Sequence, residues 1–146
     1  MDLYDALNRF YNEMTINELR MMNADGSFPN VNYHSLLYLD IIHYTESCTA
    51  SYIAAALNVS KSAVTMKVNE LIRAGLVQKV QSERDRRVNY LSVAPQVADS
   101  FKVYDRALEG AVTEIENRYS QQEIDSFGRM LETINRHYGK VLGTGK

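Results

Sequence analysis

Little in this chain points to a membrane, a secreted scaffold or an active centre, and each shortage removes a class of function. A single cysteine, Cys48, has no partner for an internal disulfide, which fits a reducing compartment. No apolar run approaches the roughly 18 residues of a membrane span. The opening stretch, MDLYDALNRFYNE, is acidic and amphipathic, unlike the basic start and apolar run of a signal peptide, so a cytoplasmic location is expected. Paired catalytic carboxylates, a cysteine–histidine arrangement and a glycine-rich phosphate loop are missing as motifs, so the chain reads as a non-enzyme without a cofactor. Gly143-Thr144-Gly145-Lys146 is similar in composition to a phosphate loop, but no helix follows it. His34, Asp40, His43 and Glu46 are metal-ligand types, yet no two histidines stand one turn apart, so no metal is expected. Internal repeats, low-complexity tracts and interdomain linkers are absent too.

What remains is an ordinary globular composition. With 146 residues, 45% hydrophobic and 23% charged, the chain suits one soluble domain spanning 1–146. Leu3, Leu7, Phe10, Tyr11, Met14 and Ile16 recur at helical spacing, so a first amphipathic helix is expected over 1–22. Asp25-Gly26 and Pro29 then favour a turn within residues 23–30. Asn32 can cap a second, largely buried helix over Tyr33–Tyr44. Thr49 or Ser51 caps a short third helix through Leu57, whose three consecutive alanines permit close packing. Helical periodicity resumes at Pro95, placed as a first-turn residue, and runs through Phe101, Tyr104, Leu108, Val112, Ile115 and Tyr119. Ser120 and Glu123 form a capping-box pattern ahead of Ile124, Phe127, Met130, Leu131 and Ile134. From Gly139 onward a frayed tail is expected.

The stretch from Ala50 to Val93 is different in kind. Asn58 stands where the chain must turn sharply, and asparagine tolerates a left-handed backbone. Val59 is expected to pack inward, and Ser60 to cap the next helix. A short helix, a turn and a second helix form the helix-turn-helix pattern. On the second helix, Ser62, Thr65, Met66, Asn69 and Arg73 share one face at 100° per residue, while Val64, Val68, Leu71 and Ile72 take the other. Gly75 is read as the C-cap. Val77–Val80 and Val88–Val93 can pair as strands, with the polar 81–87 segment between them. From Lys61 to Arg87 seven basic and three acidic residues give a local excess of +4 on a chain of net −2, so the remainder carries −6. A basic patch on an acidic body is an electrostatic footprint for nucleic acid.

The residues Asn58-Val59-Ser60-Lys61-Ser62, Val64-Thr65, Leu71, Arg73-Ala74-Gly75-Leu76-Val77 and Asp85-Arg86-Arg87 resemble the winged helix-turn-helix of MarR-type transcription regulators. The resemblance implies a mainly α (α+β) winged-helix fold, with a reader lobe over 32–93 and dimerisation helices over 1–22 and 95–138. It also implies a homodimer on a pseudo-palindromic double-stranded operator, acting as a repressor released by a small aromatic or phenolic effector. Ser60 and Ser62 suit phosphate near a helix start, and Lys61 and Lys67 suit phosphate from the flanks. Thr65, Met66 and Asn69 suit base edges, since asparagine pairs with adenine and methionine touches a thymine methyl. By the resemblance Arg87 enters the minor groove, Arg84 and Arg86 meet the backbone, and Asp85 orients an arginine. Met66 departs from the family's usual arginine or other polar residue, so base preference does not transfer. Val93-Ala94-Pro95-Gln96-Val97 likewise replaces an often-seen Leu-Thr-x-x-Gly.

Two further readings complete the expectations. Phe10, Tyr11, Tyr33, His34, Tyr38 and Tyr44 are candidate effector-pocket residues, with aromatic core or dimer interface as the alternative. Cys48 lacks a flanking cation and is expected to be an inert thiol of ordinary pKa near ~8.5. A winged fold kept only as a protein-interaction module is the alternative to DNA reading. It predicts negligible affinity for duplex DNA even at low salt.

Overall fold

The computed structural model describes residues 1–24, 28 and 31–143. The turn expected within 23–30 therefore falls largely outside the described residues, as do the last three residues of the chain. The elements run in the order α1 (Leu3–Asn23), α2 (Tyr33–Tyr44), α3 (Ala50–Leu57), α4 (Lys61–Arg73), β1 (Val77–Gln81), β2 (Asn89–Val93), α5 (Pro95–Arg118) and α6 (Gln121–Leu142).

Local chemistry sets most of these boundaries. Asn32 caps α2 by accepting from Ser35 N at 2.8 Å. Thr49, rather than Ser51, caps α3, accepting from Tyr52 N at 3.0 Å. Asn58 adopts the left-handed conformation, φ 55° and ψ 45°, and ends α3. Its N–H donates to the Ala55 carbonyl and that of Val59 to Ala54, at 3.3 and 3.1 Å. The turn is thus closed by backbone bonds and needs no buried side chain. Val59 does not pack inward; it is 45% exposed. Of the three consecutive alanines of α3 only Ala54 is buried.

The end of α4 has a two-bond lock. Ala74 is the C-cap, and Gly75 is the residue after it, at φ +72°. Gly75 N donates to Ile72 O at 3.0 Å and Leu76 N to Leu71 O at 2.9 Å, the paired bonds of a Schellman motif. The chain then enters an antiparallel hairpin in register Val77↔Val93, Lys79↔Leu91 and Gln81↔Asn89. Both strands are set about one residue from the expected bounds.

The core sits inside the reader lobe. Leu36, Leu39 and Ile42 of α2, Ile53 of α3, Val64, Val68 and Leu71 of α4, and Val77, Leu91 and Val93 of the hairpin are buried together. Val97 and Phe101 bring the first turns of α5 into this core, and Phe28 meets Phe101 edge-on at 5.8 Å. Cys48 is fully buried at the centre, and burial pushes its thiol pKa up, not to the ordinary value expected.

The outer helices have a different character. Neither α1 nor α6 buries a single residue, although both are amphipathic. Tyr11 of α1 and Tyr138 of α6 meet edge-on at 6.0 Å, so the two helices touch at this point. Helix α6 starts from the expected Ser120–Glu123 capping box and does not fray at Gly139; it continues to Leu142. A glycine in an exposed helix costs only about 1 kcal/mol, which a helix of this length absorbs. No described helix is long and apolar enough to cross a membrane.

Candidate nucleic-acid interface

Helix α4 presents its polar face outward. Val64, Val68 and Leu71 are buried, while Ser62, Thr65, Met66, Asn69 and Arg73 are exposed, Met66 by 73%. Ser60 caps the helix by accepting from Ala63 N at 3.2 Å, and its hydroxyl lies 3.2 Å from that of Ser62. Free first-turn amides and the positive end of the helix dipole face outward beside these hydroxyls. Lys61 is exposed there too. Lys67 is not the free flank cation expected. Its side chain is only 11% exposed and its Nζ lies 3.3 Å from Glu70 Oε1.

The wing tip is rigid for local reasons. Ser82 is buried, and its hydroxyl accepts from Arg84 N at 3.2 Å and Asp85 N at 3.3 Å. Val88 N donates to Asp85 O at 2.9 Å, and Gln81 Nε2 to Arg86 O at 2.6 Å. Asp85 Oδ1 accepts from the backbone N of Arg87 at 2.9 Å and from its Nε at 3.3 Å. One carboxylate therefore shapes the turn and aims the arginine beyond it. The Arg87 side chain remains 92% exposed. Arg84 and Arg86 are exposed and make no ion pair among the described residues. The polarity of the 81–87 segment hides this role of Ser82 in the sequence; its signal is a hydroxyl two and three residues ahead of a turn's amides.

Helix and wing share a cleft of about 280 Å3, lined by Lys61, Thr65 and Asn69 of α4, Lys79 of β1 and Arg87 of the wing, with Thr49 and Ser51 at its edge. Lys79 is the residue sequence reasoning left out: the register puts it on the strand face that turns toward α4. A second cleft, on the α2 side of α4, is lined by Met66, Asn69, Arg73 and His34 among others. Asn69 stands on the ridge between the two.

The six aromatic pocket candidates are not brought to one place. Phe10 and Tyr11 pack on each other at 5.8 Å, next to α6. Tyr33 donates to Glu18 Oε2 of α1 at 2.6 Å. Tyr44 donates to Asp105 Oδ1 of α5 at 2.9 Å and meets Phe101 edge-on at 5.7 Å. Tyr38 belongs to the buried core, and His34 tilts against it at 5.1 Å, beside α4. These tyrosines mark a polar seam among α1, α2 and α5. The hydrogen bond to Glu18 pushes the Tyr33 phenol pKa up; burial and then the bond to Asp105 do so for Tyr44. Partial desolvation, then Glu18, raises the Asp40 carboxyl. Tyr104 Oη is buried there with no hydrogen-bond partner among the described residues.

A short helix, a left-handed turn, an outward-facing second helix and a basic two-stranded wing define a winged helix-turn-helix protein. Residues 31–88 match the model of the MarR family. Solved structures extend the likeness over nearly the whole chain. Streptococcus pneumoniae FabT, solved in complex with DNA, is 25% identical with a TM-score of 0.62, over 94% of this chain and 99% of that one. The adhesin competence repressor AdcR from Streptococcus pyogenes is 16% identical with a TM-score of 0.61, over 94% and 98%. The transcriptional regulator Tm0710 from Thermotoga maritima is 15% identical with a TM-score of 0.54, over 97% and 99%. The last two likenesses speak for the fold alone. None of the curated proteins matches the chain.

Proposed function

We propose that the protein is a sequence-specific reader of double-stranded DNA that regulates transcription as a homodimer. The observation that carries this is the shared cleft, where Thr65 and Asn69 of α4 stand beside Lys61, Lys79 and the Asp85-aimed Arg87. A helix seated in a major groove reads base edges with Thr65, Met66 and Asn69. Ser60, Ser62 and Lys61 then lie at phosphates of the near strand. Arg87 reaches the minor groove beyond, with Arg84 and Arg86 on its backbone. That a similar protein has been solved with DNA supports the same use of this face.

The outer helices supply the second half of the proposal. Phe10, Leu19, Leu108, Phe127, Met130 and Leu131 are exposed on α1, α5 and α6. So much uncovered apolar side chain on one end of a protein calls for a partner surface. A second copy covers it and sets two recognition helices on a pseudo-palindromic operator. The regulatory form is a repressor released by a small aromatic or phenolic effector. Such a ligand competes for the phenol–carboxylate bonds of Tyr33 and Tyr44 and so shifts the spacing of the two readers.

Gel-shift binding to the DNA upstream of its own gene tests the reader. Wild type is expected to bind with an affinity that falls steeply as salt rises. Undiminished binding by the Asn69→Ala, Arg87→Ala double variant would sink the assignment. Negligible binding at low salt would instead favour the protein-interaction module.

A further inference from the structure

The cleft on the α2 side of α4 shares Met66 and Asn69 with the base-reading face, but its remaining lining residues, His34 and Arg73 among them, have no part in base reading or in the wing. It measures about 590 Å3, and among the described residues His34, in the first turn of α2, is its only lining residue from outside α4. Its charges are unequally committed. Lys67 is taken up by Glu70 at 3.3 Å, whereas Arg73 is exposed and makes no ion pair among the described residues. The His34 ring rests 5.1 Å from Tyr38, which is itself core, so the imidazole stands on a rigid base at the cleft edge. Met66 and Asn69 form the wall that this cleft shares with the groove-facing ridge.

A major groove is about 12 Å wide and a helix with its side chains about 10–12 Å across, so both phosphate walls come against the flanks of an inserted helix. The wing-side flank has Lys61, Lys79 and Arg87. The other flank has His34 and Arg73. We infer that His34 and Arg73 form a second backbone clamp, which grips a phosphodiester on the groove wall opposite the wing. The guanidinium fork and an imidazole N–H both donate to phosphate oxygens, and the one carboxylate in the cleft is already neutralised by Lys67. His34 thus serves the DNA face, and not the effector pocket in which its sequence neighbours had placed it. The clamp presupposes the DNA-reading role proposed above. A phosphodiester contact fixes register and orientation without choosing a base.

Fluorescence anisotropy tests the clamp, with a selected operator and a scrambled duplex, each titrated from 50 to 200 mM salt. Arg73→Ala and His34→Gln are expected to weaken both duplexes by the same factor, about tenfold for the arginine. Arg73→Ala should also flatten the log–log salt dependence by about 0.9. His34→Lys should match or exceed wild type, because an ammonium at the same place also donates to the phosphate. Asn69→Ala is the contrast, expected to change the ratio between the two duplexes. Circular dichroism melts of each variant separate a lost contact from a lost fold. Unchanged affinity and slope in Arg73→Ala and His34→Gln, with Asn69→Ala impaired, overturns the clamp and leaves the reader standing. Duplex binding that is absent, or independent of salt, overturns both. Weaker binding of Arg73→Ala with an unchanged slope also overturns the clamp, since the guanidinium would then not be on a phosphate.

Discussion

Replacing Gly75 with alanine isolates one backbone conformation, because nothing else at that position stands in the way. An added Cβ would meet no atom within 4 Å, so sterics with neighbours contribute nothing. What remains is φ +72°, which costs an L-residue about 1–2 kcal/mol. Against this, alanine restricts the unfolded chain and recovers about 0.4–1 kcal/mol. The net is a destabilisation on the order of 1 kcal/mol, or a melting point lower by about 3 °C at fixed protein concentration. Gly75→Asn should cost less, since asparagine visits this region. Gly75→Val should cost more, as a β-branched residue there is a true outlier. Urea unfolding of the three variants is the assay. The Gly75 carbonyl also accepts from Gln96 Nε2 of α5 at 2.9 Å, so a relaxed backbone disturbs the junction of α4, β1 and α5 together. DNA affinity should therefore fall along with stability. Alanine as stable as glycine, or valine no worse than asparagine, refutes the account of how α4 hands over to the wing.

Asp85→Ala raises the net charge of the wing by one, so simple charge counting predicts tighter DNA binding. The geometry predicts the reverse: with its 2.9 and 3.3 Å contacts gone, Arg87 loses its aim and affinity falls a few-fold, and a tighter complex in anisotropy would refute this. The raised Asp40 carboxyl means that the folded chain holds this proton more tightly than the unfolded one. Its stabilising effect is complete below the unfolded aspartate pKa and is lost as pH rises through the folded value. Asp40→Asn should consequently be more stable than wild type at pH 7 and lose that advantage in acid. Urea midpoints that are equal at pH 7, or shifted alike at both pH values, would contradict it.

The elements were legible in the sequence wherever a few neighbouring residues decide the outcome. Asn32, Ser60 and the Ser120–Glu123 pair each satisfy amides within their own first turn, and the two faces of α4 follow from period alone. Legibility failed where partners are distant or where the backbone closed a turn without help. Tyr33 and Glu18 are 15 positions apart and Tyr44 and Asp105 are 61 apart, so aromatic abundance looked like one pocket instead of a seam. Nothing local in the sequence shows that His34, in the first turn of α2, lines a cleft with Arg73. Val59 looked like a core residue because of its type, yet its own N–H already closes the turn.

The first and last residues of α2 are both tyrosines, and each ties the helix to a different outer element, Tyr33 to α1 and Tyr44 to α5. Exposed hydrogen bonds of this sort contribute only about 1 kcal/mol each, little more than thermal energy. The reading head is consequently carried on a compliant suspension. In the proposed dimer it can yield by small angles at either end without unfolding, so that two heads on one duplex would accommodate the local twist of the sequence they meet. That tolerance has a complement: the same two soft ties make the heads easy to swing out of phase.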